Sequence, residues 1–343
     1  MKTTIAPGEP PIGCETSPGD RRLAGREQAP PSGESLQLKR ILVPLDFSSA
    51  SLQALQYTIR LAEKFRAAIH LVHIQPADEL TAISKAGHLM LNCADAIALM
   101  QDRLGEIQRR HDVQFWPDNC HVLSGRPFEE VCKLAGEIEA DLIVLPTRGY
   151  SGLKHVVLGS TAERIVRFAP CPVLVLRGAK YQKAMLDEAA GEAAFKLRKI
   201  LVPVDFSSCS LAGARYAARL ARSTGASVRF LHVVFPYSQV LGIDRVGANS
   251  TSMAQTVRET AQGEMARLRR MKFLRGLDCE AELRVGPVVD EISGASSSPE
   301  VDLLVISTHG RTGFKRALIG SIAEHVVRYA ECPVITVPSR GRF

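Results

Sequence analysis

The sequence lacks several features, and each absence excludes a class of protein. No apolar run reaches the roughly 20 residues that a membrane-spanning helix requires, and the start MKTTIAPG has no apolar signal-peptide core. None of the eight cysteines belongs to a Cys-x-x-Cys pair, which favours reduced thiols over a disulfide framework or a zinc site. We therefore expect a cytoplasmic protein with no membrane partner and no metal site.

The familiar motifs of catalytic sites are also missing. The chain contains no Gly-x4-Gly-Lys-[Ser/Thr], Gly-x-Gly-x-x-Gly, His-Glu-x-x-His or Gly-x-Ser-x-Gly sequence. The formal net charge of +7 is modest for 343 residues, and Lys and Arg are dispersed among acidic residues. That pattern disfavours a dedicated nucleic-acid binder. With 45% hydrophobic residues, a globular protein of about two domains is expected.

What the sequence does contain is an internal repeat. KRILVPLDFSSAS at residues 39–51 returns as RKILVPVDFSSCS at residues 198–210. Without gaps, residues 39–74 match 198–233 at 16 of 36 positions, and residues 140–176 match 301–337 at 17 of 37. Each copy is the size of a full domain. We therefore predict two domains, 39–177 and 198–340, with a flexible tail at 1–38 and a linker at 178–197.

Strand-length apolar runs alternate with segments of helical periodicity in both copies. This alternation implies right-handed crossovers and parallel strands that are covered on both faces. The predicted fold class is doubly wound α/β, with one five-stranded parallel sheet in each copy and helices at Ser49–Phe65, near Leu89–Arg110, and from Pro127 and Ser160. The predicted strands are Ile41–Leu45, Ile69–Ile74, His121–Leu123, Leu142–Leu145 and Val173–Leu176, then Ile200–Val204, Val228–Val234, Ala281–Val285, Leu303–Ile306 and Val334–Val337.

In doubly wound sheets, ligands bind beyond the carboxyl ends of the strands, where the winding direction reverses. The first segment at this place is the Asp-Phe-Ser sequence after strand one, which begins at Asp46 and at Asp205. Its serine is expected to cap the following helix. Two roles stay open for the aspartate, which can cap the helix or contact a ligand hydroxyl or a metal near phosphates.

The second segment follows strand four. It reads PTRGYSG before Gly159-Ser160 in the first copy and STHGRTG before Gly320-Ser321 in the second. Glycines let backbone amides approach an anion, and a helix start offers free N–H groups, so phosphate binding has a mechanism here. The alternative is that the glycines only serve tight turns.

With these residues, each copy resembles the universal stress protein domain, over roughly residues 38–177 and 197–340. The resemblance is carried by the Val-Pro-x-Asp-Phe-Ser start, His73-Ile74 and His232-Val233 at the end of strand two, the Thr-His-Gly-Arg-Thr-Gly loop and the Ala-x-Cys-Pro-Val endings. It implies a Rossmann-like, adenine nucleotide alpha hydrolase-like sheet with strand order 3-2-1-4-5. In one branch of the family it also implies an ATP site, with Mg²⁺ accompanying the nucleotide, of the pattern Gly-x-x-Gly-x9-Gly-[Ser/Thr].

The resemblance also implies positions for the site. Aspartate would approach the ribose, the backbone after the strand-two histidine would meet the adenine, and the glycine loop would hold the phosphates. In the second copy the implied residues are Asp205, Val233, Ser307, Thr308, His309, Gly310, Gly313, Gly320 and Ser321. In the first copy they are Asp46, Ile74, Gly149, Gly152, Gly159 and Ser160.

Both copies depart from the pattern at its first glycine, which is Pro146 in one and Ser307 in the other. Proline has no N–H to donate and a fixed φ, whereas serine keeps its amide. Arg148 and Tyr150 also replace His309 and Arg311 at the mouth of the first copy. We therefore expect the second copy to be the better nucleotide site.

The resemblance thus implies a stress-response regulatory protein that binds an adenine nucleotide without efficient catalysis, since no Walker lysine is present. Two alternatives remain open: a nucleotide-free adaptor that acts on an unidentified regulatory protein, and a slow ATP hydrolase. The last strand of each copy would lie at an apolar sheet edge, which invites pairing. We predict that the two edges meet antiparallel as an intramolecular pseudo-dimer, and a homodimer is left open.

Overall fold

The computed structural model of the protein describes residues 35–75, 117–147, 158–177, 195–235, 249–308 and 319–339. Within these residues, all ten predicted strands are present, and their ends differ from the predicted ones by no more than two residues. The first copy contains β1 (Arg40–Pro44), β2 (Ala68–Gln75), β3 (Cys120–Ser124), β4 (Leu142–Pro146) and β5 (Val173–Leu176). The second contains β6 (Lys199–Pro203), β7 (Ser227–Val234), β8 (Cys279–Val285), β9 (Leu303–Ser307) and β10 (Val334–Val337).

Seven α-helices connect these strands in the described part of the chain. The predicted helix near residues 89–110 lies outside the described residues. Those described are α1 (Ser49–Phe65), α2 (Pro127–Glu137), α3 (Ser160–Phe168), α4 (Ser208–Thr224), α5 (Asn249–Arg269), α6 (Val288–Ser296) and α7 (Ser321–Tyr329).

The ten strands form one continuous sheet in the order β3-β2-β1-β4-β5-β10-β9-β6-β7-β8. Each half has the implied order 3-2-1-4-5, and all pairs within a half are parallel. The halves join through β5 and β10, which pair antiparallel with Val334 opposite Val175 and Thr336 opposite Val173. This is the edge-to-edge pairing that the sequence predicts. We call β1–β5 the first half-sheet and β6–β10 the second.

Helices cover both faces of the sheet because successive strand residues point to opposite sides. On β1, Ile41 and Val43 belong to one apolar core, while Leu42 belongs to the other. The first core includes residues of α1, α4 and α5, and the second includes residues of α2, α3, α6 and α7. Both cores contain residues of both copies, so the apolar interior is continuous across the β5–β10 junction.

Contacts between the copies strengthen this junction. The chain entering β1 reaches the second copy, where Leu36 N–H donates to the Arg219 carbonyl oxygen at 3.1 Å. The chain entering β6 makes the matching contact, with the rings of Phe195 and Tyr57 centred 5.7 Å apart. None of the helices in the described ranges is long and apolar enough to cross a bilayer.

Candidate functional site

The strand order reverses between β1 and β4 in the first half-sheet and between β6 and β9 in the second. At such a point the following connections leave toward opposite faces, which opens a crevice at the carboxyl ends of the strands. In the second half-sheet, one wall is the Asp-Phe-Ser turn after β6. The other wall is the chain that follows β9 and the start of α7.

The Asp-Phe-Ser turn is built identically in both copies. Asp205 Oδ1 accepts hydrogen bonds from the Ser207 amide at 3.0 Å and from the Ser207 hydroxyl at 2.6 Å. Ser207 in turn caps α4, because its Oγ accepts from the Ser210 amide at 3.1 Å. Asp46 and Ser48 repeat the first two distances, and Ser48 caps α1. The predicted serine caps are confirmed, and in both copies the aspartate accepts hydrogen bonds from the capping serine.

A phenylalanine in the left-handed region gives this turn its shape. Phe47 has φ 59° and Phe206 has φ 62°, a conformation that non-glycine residues adopt at a cost of about 1–3 kcal/mol. The ring of Phe206 packs against His232, with centroids 4.5 Å apart. His232 Nδ1–H also donates to the Val204 carbonyl oxygen at 2.7 Å. This histidine thus holds the end of β6 and the strained phenylalanine together, as a hydrogen-bonded structural residue.

The backbone after this histidine faces the crevice. The Leu231 carbonyl oxygen accepts from Val204 N–H at 2.8 Å, which points Leu231 toward β6. Alternate residues of a strand direct their backbone N–H and C=O groups to the same side. Val233 therefore directs both groups to the β6 side of β7, at a level beyond the last residue of β6. In the first copy, the bond from Leu45 N–H to Val72 (2.8 Å) places Ile74 in the same way.

The chain after β9 forms the opposite wall. Thr308 N–H donates to the Val337 carbonyl oxygen at 3.0 Å, and the Thr308 carbonyl oxygen accepts from Gly320 N–H at 2.7 Å. Thr147 and Gly159 are joined in the same way in the first copy, at 3.0 Å. In each copy, a hydrogen bond thus joins the two ends of the predicted phosphate loop. Helix α7 begins at the carboxyl ends of the second half-sheet, and α3 begins at those of the first.

The helix starts leave backbone donors uncapped by side chains. Gly320 and Gly159 occupy the N-cap positions, and glycine has no side chain to accept from the first-turn amides. The first helical bond runs from Glu324 N–H to the Gly320 carbonyl oxygen at 2.9 Å. The amides of residues 321–323 precede this bond, at the positive end of the helix dipole. Such a helix start can bind an anionic oxygen.

Two packing differences separate the copies at the crevice. Because Thr308 N–H points to β10, the preceding Ser307 N–H points toward β6, where Pro146 of the first copy has no donor. A Cβ on Gly213 of α4 would lie 3.5 Å from this Ser307 nitrogen. The repeat places Ala54 at the position of Gly213. Gly213 was not expected from the sequence, and only the aligned copies could have drawn attention to it.

Part of the predicted site lies outside the described residues. The described site residues lie at the carboxyl ends of the strands or at the start of the following helix: Asp205, Val233, Ser307, Thr308, Gly320 and Ser321 in the second copy, and Asp46, Ile74, Gly159 and Ser160 in the first. The predicted residues outside the described ranges are His309, Gly310, Gly313, Gly149 and Gly152.

Comparisons with known proteins support this architecture. The sequence model of the universal stress protein family matches residues 37–177 and again residues 196–338. A universal stress protein of Methanocaldococcus jannaschii is 32% identical over 151 residues, covering 43% of this chain and 87% of the relative. One from Mycolicibacterium smegmatis is 26% identical over 313 residues, covering 88% of this chain and 97% of the relative.

A solved structure is similar over almost the whole chain. The crystal structure of a universal stress protein from Archaeoglobus fulgidus gives a TM-score of 0.56 at 18% identity, covering 90% of this chain and 98% of the other. At this identity the similarity concerns the fold alone.

Proposed function

Because this chain belongs to the universal stress protein family, with two family domains in tandem, we propose that it is a stress-response regulatory protein that binds ATP or a related adenine nucleotide. Binding takes place mainly in the second copy and without efficient catalysis. A universal stress protein has been crystallised in complex with cAMP. That establishes nucleotide binding for that protein, whereas the proposal for this chain depends on its own residues.

The observation that carries the proposal is the paired geometry of the second crevice. The half-buried Asp205 carboxylate stands on one wall, and the α7 start with its glycine cap stands on the other. A carboxylate can accept bonds from ribose hydroxyls, while the α7 amides can donate to phosphate oxygens. The backbone of Val233 faces the same crevice and can accept from and donate to the edge of a purine ring.

The second copy is favoured as the nucleotide site because it differs from the first at two positions. Ser307 has a backbone N–H on the side of β6, where Pro146 of the first copy has none. Gly213 of α4 packs against this part of β9, and a Cβ there would lie 3.5 Å from the Ser307 nitrogen, where the first copy has Ala54. Nucleotide binding in the first crevice is therefore expected to be weaker.

Efficient phosphoryl transfer is not part of the proposal. Such a reaction needs a clamp of positive charge on the transferred phosphoryl group and a group that aligns the nucleophile. The sequence supplies no Walker lysine, and Asp205 Oδ1 already accepts hydrogen bonds from the Ser207 amide and hydroxyl. The described residues contain no cluster of three metal-ligating side chains. A Mg²⁺ ion that accompanies ATP would take its ligands chiefly from phosphates and water.

Two glycines provide a matched test. Gly320 and Gly159 have nearly the same backbone angles, φ −61° and −60°, which any residue can adopt. A Cβ on Gly159 meets nothing closer than the Thr147 carbonyl oxygen at 3.6 Å. Tryptophan at either position is expected to fill the crevice mouth, and the melting temperature of each variant against the wild type shows whether the fold is retained.

The experiment is calorimetric titration of the full chain with ATP and Mg²⁺. Gly320→Trp is expected to abolish saturable binding, whereas Gly159→Trp leaves the dissociation constant of the main site unchanged. Mass spectrometry of the denatured purified protein shows in parallel whether an adenine nucleotide co-purifies. No bound nucleotide and no saturable binding would favour the adaptor, and equal losses in both variants would contradict the asymmetry. Multiple turnover to ADP that disappears in Asp205→Ala would favour the hydrolase.

A further inference from the structure

One face of the second copy gathers cationic side chains from two distant segments. Helix α4 contains three arginines and no acidic residue. The segment RLRRMKFLR at residues 267–275 adds five cations, again without an acidic residue. The cations are Arg215, Arg219 and Arg222 in α4 and Arg267, Arg269, Arg270, Lys272 and Arg275 in the second segment, and we call the surface where the two segments meet the basic face.

Direct contacts join the two segments into one surface. Arg222 Nη2 donates to the carbonyl oxygens of Phe273 at 2.8 Å and of Arg275 at 3.1 Å. The guanidinium of Arg215 lies 5.3 Å from the centroid of the Phe273 ring. Arg219 lies on α4 between these two arginines. The turn at residues 272–275 is thus packed against the arginine stripe of α4.

Little acidic charge balances this face. Arg215 and all five cations of residues 267–275 are exposed, while Arg219 and Arg222 are half-buried. In the described part of the chain, the acidic partner of the face is Glu264, 3.8 Å from Arg267. Asp278 and Glu280 follow this segment in the sequence, and Glu280 is paired with Arg229 and Lys199. In the described residues, six exposed cations of these two segments thus stand beside one ion-paired carboxylate, that of Glu264.

The first copy shows that the fold does not require this charge. On α1, the positions matching Arg215, Arg219 and Arg222 carry Gln56, Arg60 and Glu63. Both helices pack on the same core and cover the same face of the sheet. The basic face is therefore a property of the second copy, and packing of the sheet does not explain it.

We propose that the basic face binds the phosphate backbone of a nucleic-acid duplex without reading its sequence. Five of the six exposed cations are arginines, whose planar guanidinium matches phosphate oxygens through paired hydrogen bonds. The one aromatic ring packed among them, Phe273, is buried, so it offers no platform for stacking the bases of a single strand. A protein partner would be expected to find an apolar centre, which the described part of this face does not present.

This inference goes beyond the proposed nucleotide function and revises the expectation that nucleic acid is not a partner. That expectation rested on the dispersal of Lys and Arg along the whole chain. Folding changes the distribution, because it places residues 215–222 beside residues 267–275. Charge density on a surface determines phosphate binding, and the chain average does not.

The test uses the full chain and a short fluorescent DNA duplex, with anisotropy measured between about 50 and 200 mM salt. The variant Arg215→Gln/Arg270→Gln/Lys272→Gln changes three exposed cations that have no acidic partner in the described residues. It is expected to weaken duplex binding more than tenfold at low salt and to lower the slope of log K against log salt by about 3. The control Lys64→Gln/Arg126→Gln/Lys133→Gln removes the same charge from exposed positions of the first copy and is expected to change affinity by less than twofold.

Four outcomes would overturn the proposal. The first is equal weakening in both triple variants, which would mean that net charge alone sets the affinity. The second is competition by saturating ATP at matched ionic strength, which would place the duplex in the nucleotide crevice. The third is binding to phosphatidylserine vesicles without duplex binding, which would indicate a membrane partner. The fourth is equal affinity for polyglutamate, which would indicate an acidic protein. Melting temperatures of the two variants within a few degrees of each other exclude unfolding as the cause.

Discussion

Asp205→Asn removes a negative charge from the mouth of the second half-sheet while keeping an oxygen that can accept hydrogen bonds. In the folded protein, Asp205 Oδ1 accepts from the Ser207 amide at 3.0 Å and from the Ser207 hydroxyl at 2.6 Å. Asparagine preserves the geometry of the turn but makes both bonds weaker. The same substitution at Asp46 changes the same two bonds in the first copy.

The effect on stability follows from these bonds. A hydrogen bond to a charged group contributes about 1.5–3 kcal/mol and a neutral one about 0.5–1.5 kcal/mol. Loss of the favourable interaction with the α4 dipole adds about 0.3–1 kcal/mol. Both bonds weaken and the dipole interaction is lost, so we expect either substitution to lower the free energy of unfolding by about 2–4 kcal/mol. The value is expected to be the same in both turns because their distances agree. Urea denaturation followed by circular dichroism measures this change.

Nucleotide affinity separates the two sites. If Asp205 accepts from the ribose hydroxyls, Asp205→Asn raises the dissociation constant for ATP at least tenfold, a change of about 1.4 kcal/mol. Asp46→Asn is expected to leave this constant within about twofold, since a factor of two is only about 0.4 kcal/mol. Calorimetric titration of both variants provides the comparison.

Two results would refute this reasoning. Unchanged ATP affinity in Asp205→Asn, together with the expected loss of stability, would show that the carboxylate serves the helix cap alone. Equal loss of affinity in both variants would show that the two crevices contribute alike.

Two further predictions concern stability. Arg66 ends α1 in the left-handed region at φ 55°, and the matching residue at the end of α4 is Gly225 at φ 79°. Arg66→Gly is therefore expected to raise the free energy of unfolding by about 1 kcal/mol, measured by urea denaturation. A decrease would contradict the cost assigned to this conformation. The ring nitrogens His70 Nδ1 and His121 Nε2 lie 3.3 Å apart, and burial lowers the pKa of both residues, with His121 itself also lowering the pKa of His70. The folded state therefore binds fewer protons than the unfolded state, so stability is full above the ordinary histidine pKa of 6.5 and falls below it. His121→Gln is expected to lose less stability than the wild type between neutral and mildly acidic pH, and an identical pH dependence would contradict this.

Local patterns in the sequence predict most of the fold. The pattern predicts a strand at Ile200–Val204, within one residue of β6 at both ends, because a buried apolar run ends at an Asp-Phe-Ser turn whose serine caps the next helix. The β5–β10 pairing followed from an apolar strand at an otherwise open edge in each copy. The first inference depends on a few neighbouring residues, and the second depends on the repeat.

Contacts between distant residues were beyond the sequence pattern. Nothing in the periodicity of α4 indicates that Gly213 approaches Ser307, or that Arg222 bonds to the Phe273 carbonyl 51 residues away. The stacked pair of His70 and His121 likewise arises from the register of β2 and β3. Such contacts depend on how the helices pack on the sheet. A sequence pattern shows which side of a helix or strand is buried, but it does not show which distant residues that side contacts.

The most direct measurement is a crystal structure of the full chain with a non-hydrolysable ATP analogue and Mg²⁺. The account predicts a nucleotide at the β6–β9 crevice, with its ribose beside Asp205 and its phosphates at the α7 start beside Gly320 and Ser321. A crevice filled by the side chains of the protein itself, or a nucleotide seated only between β1 and β4, would contradict it.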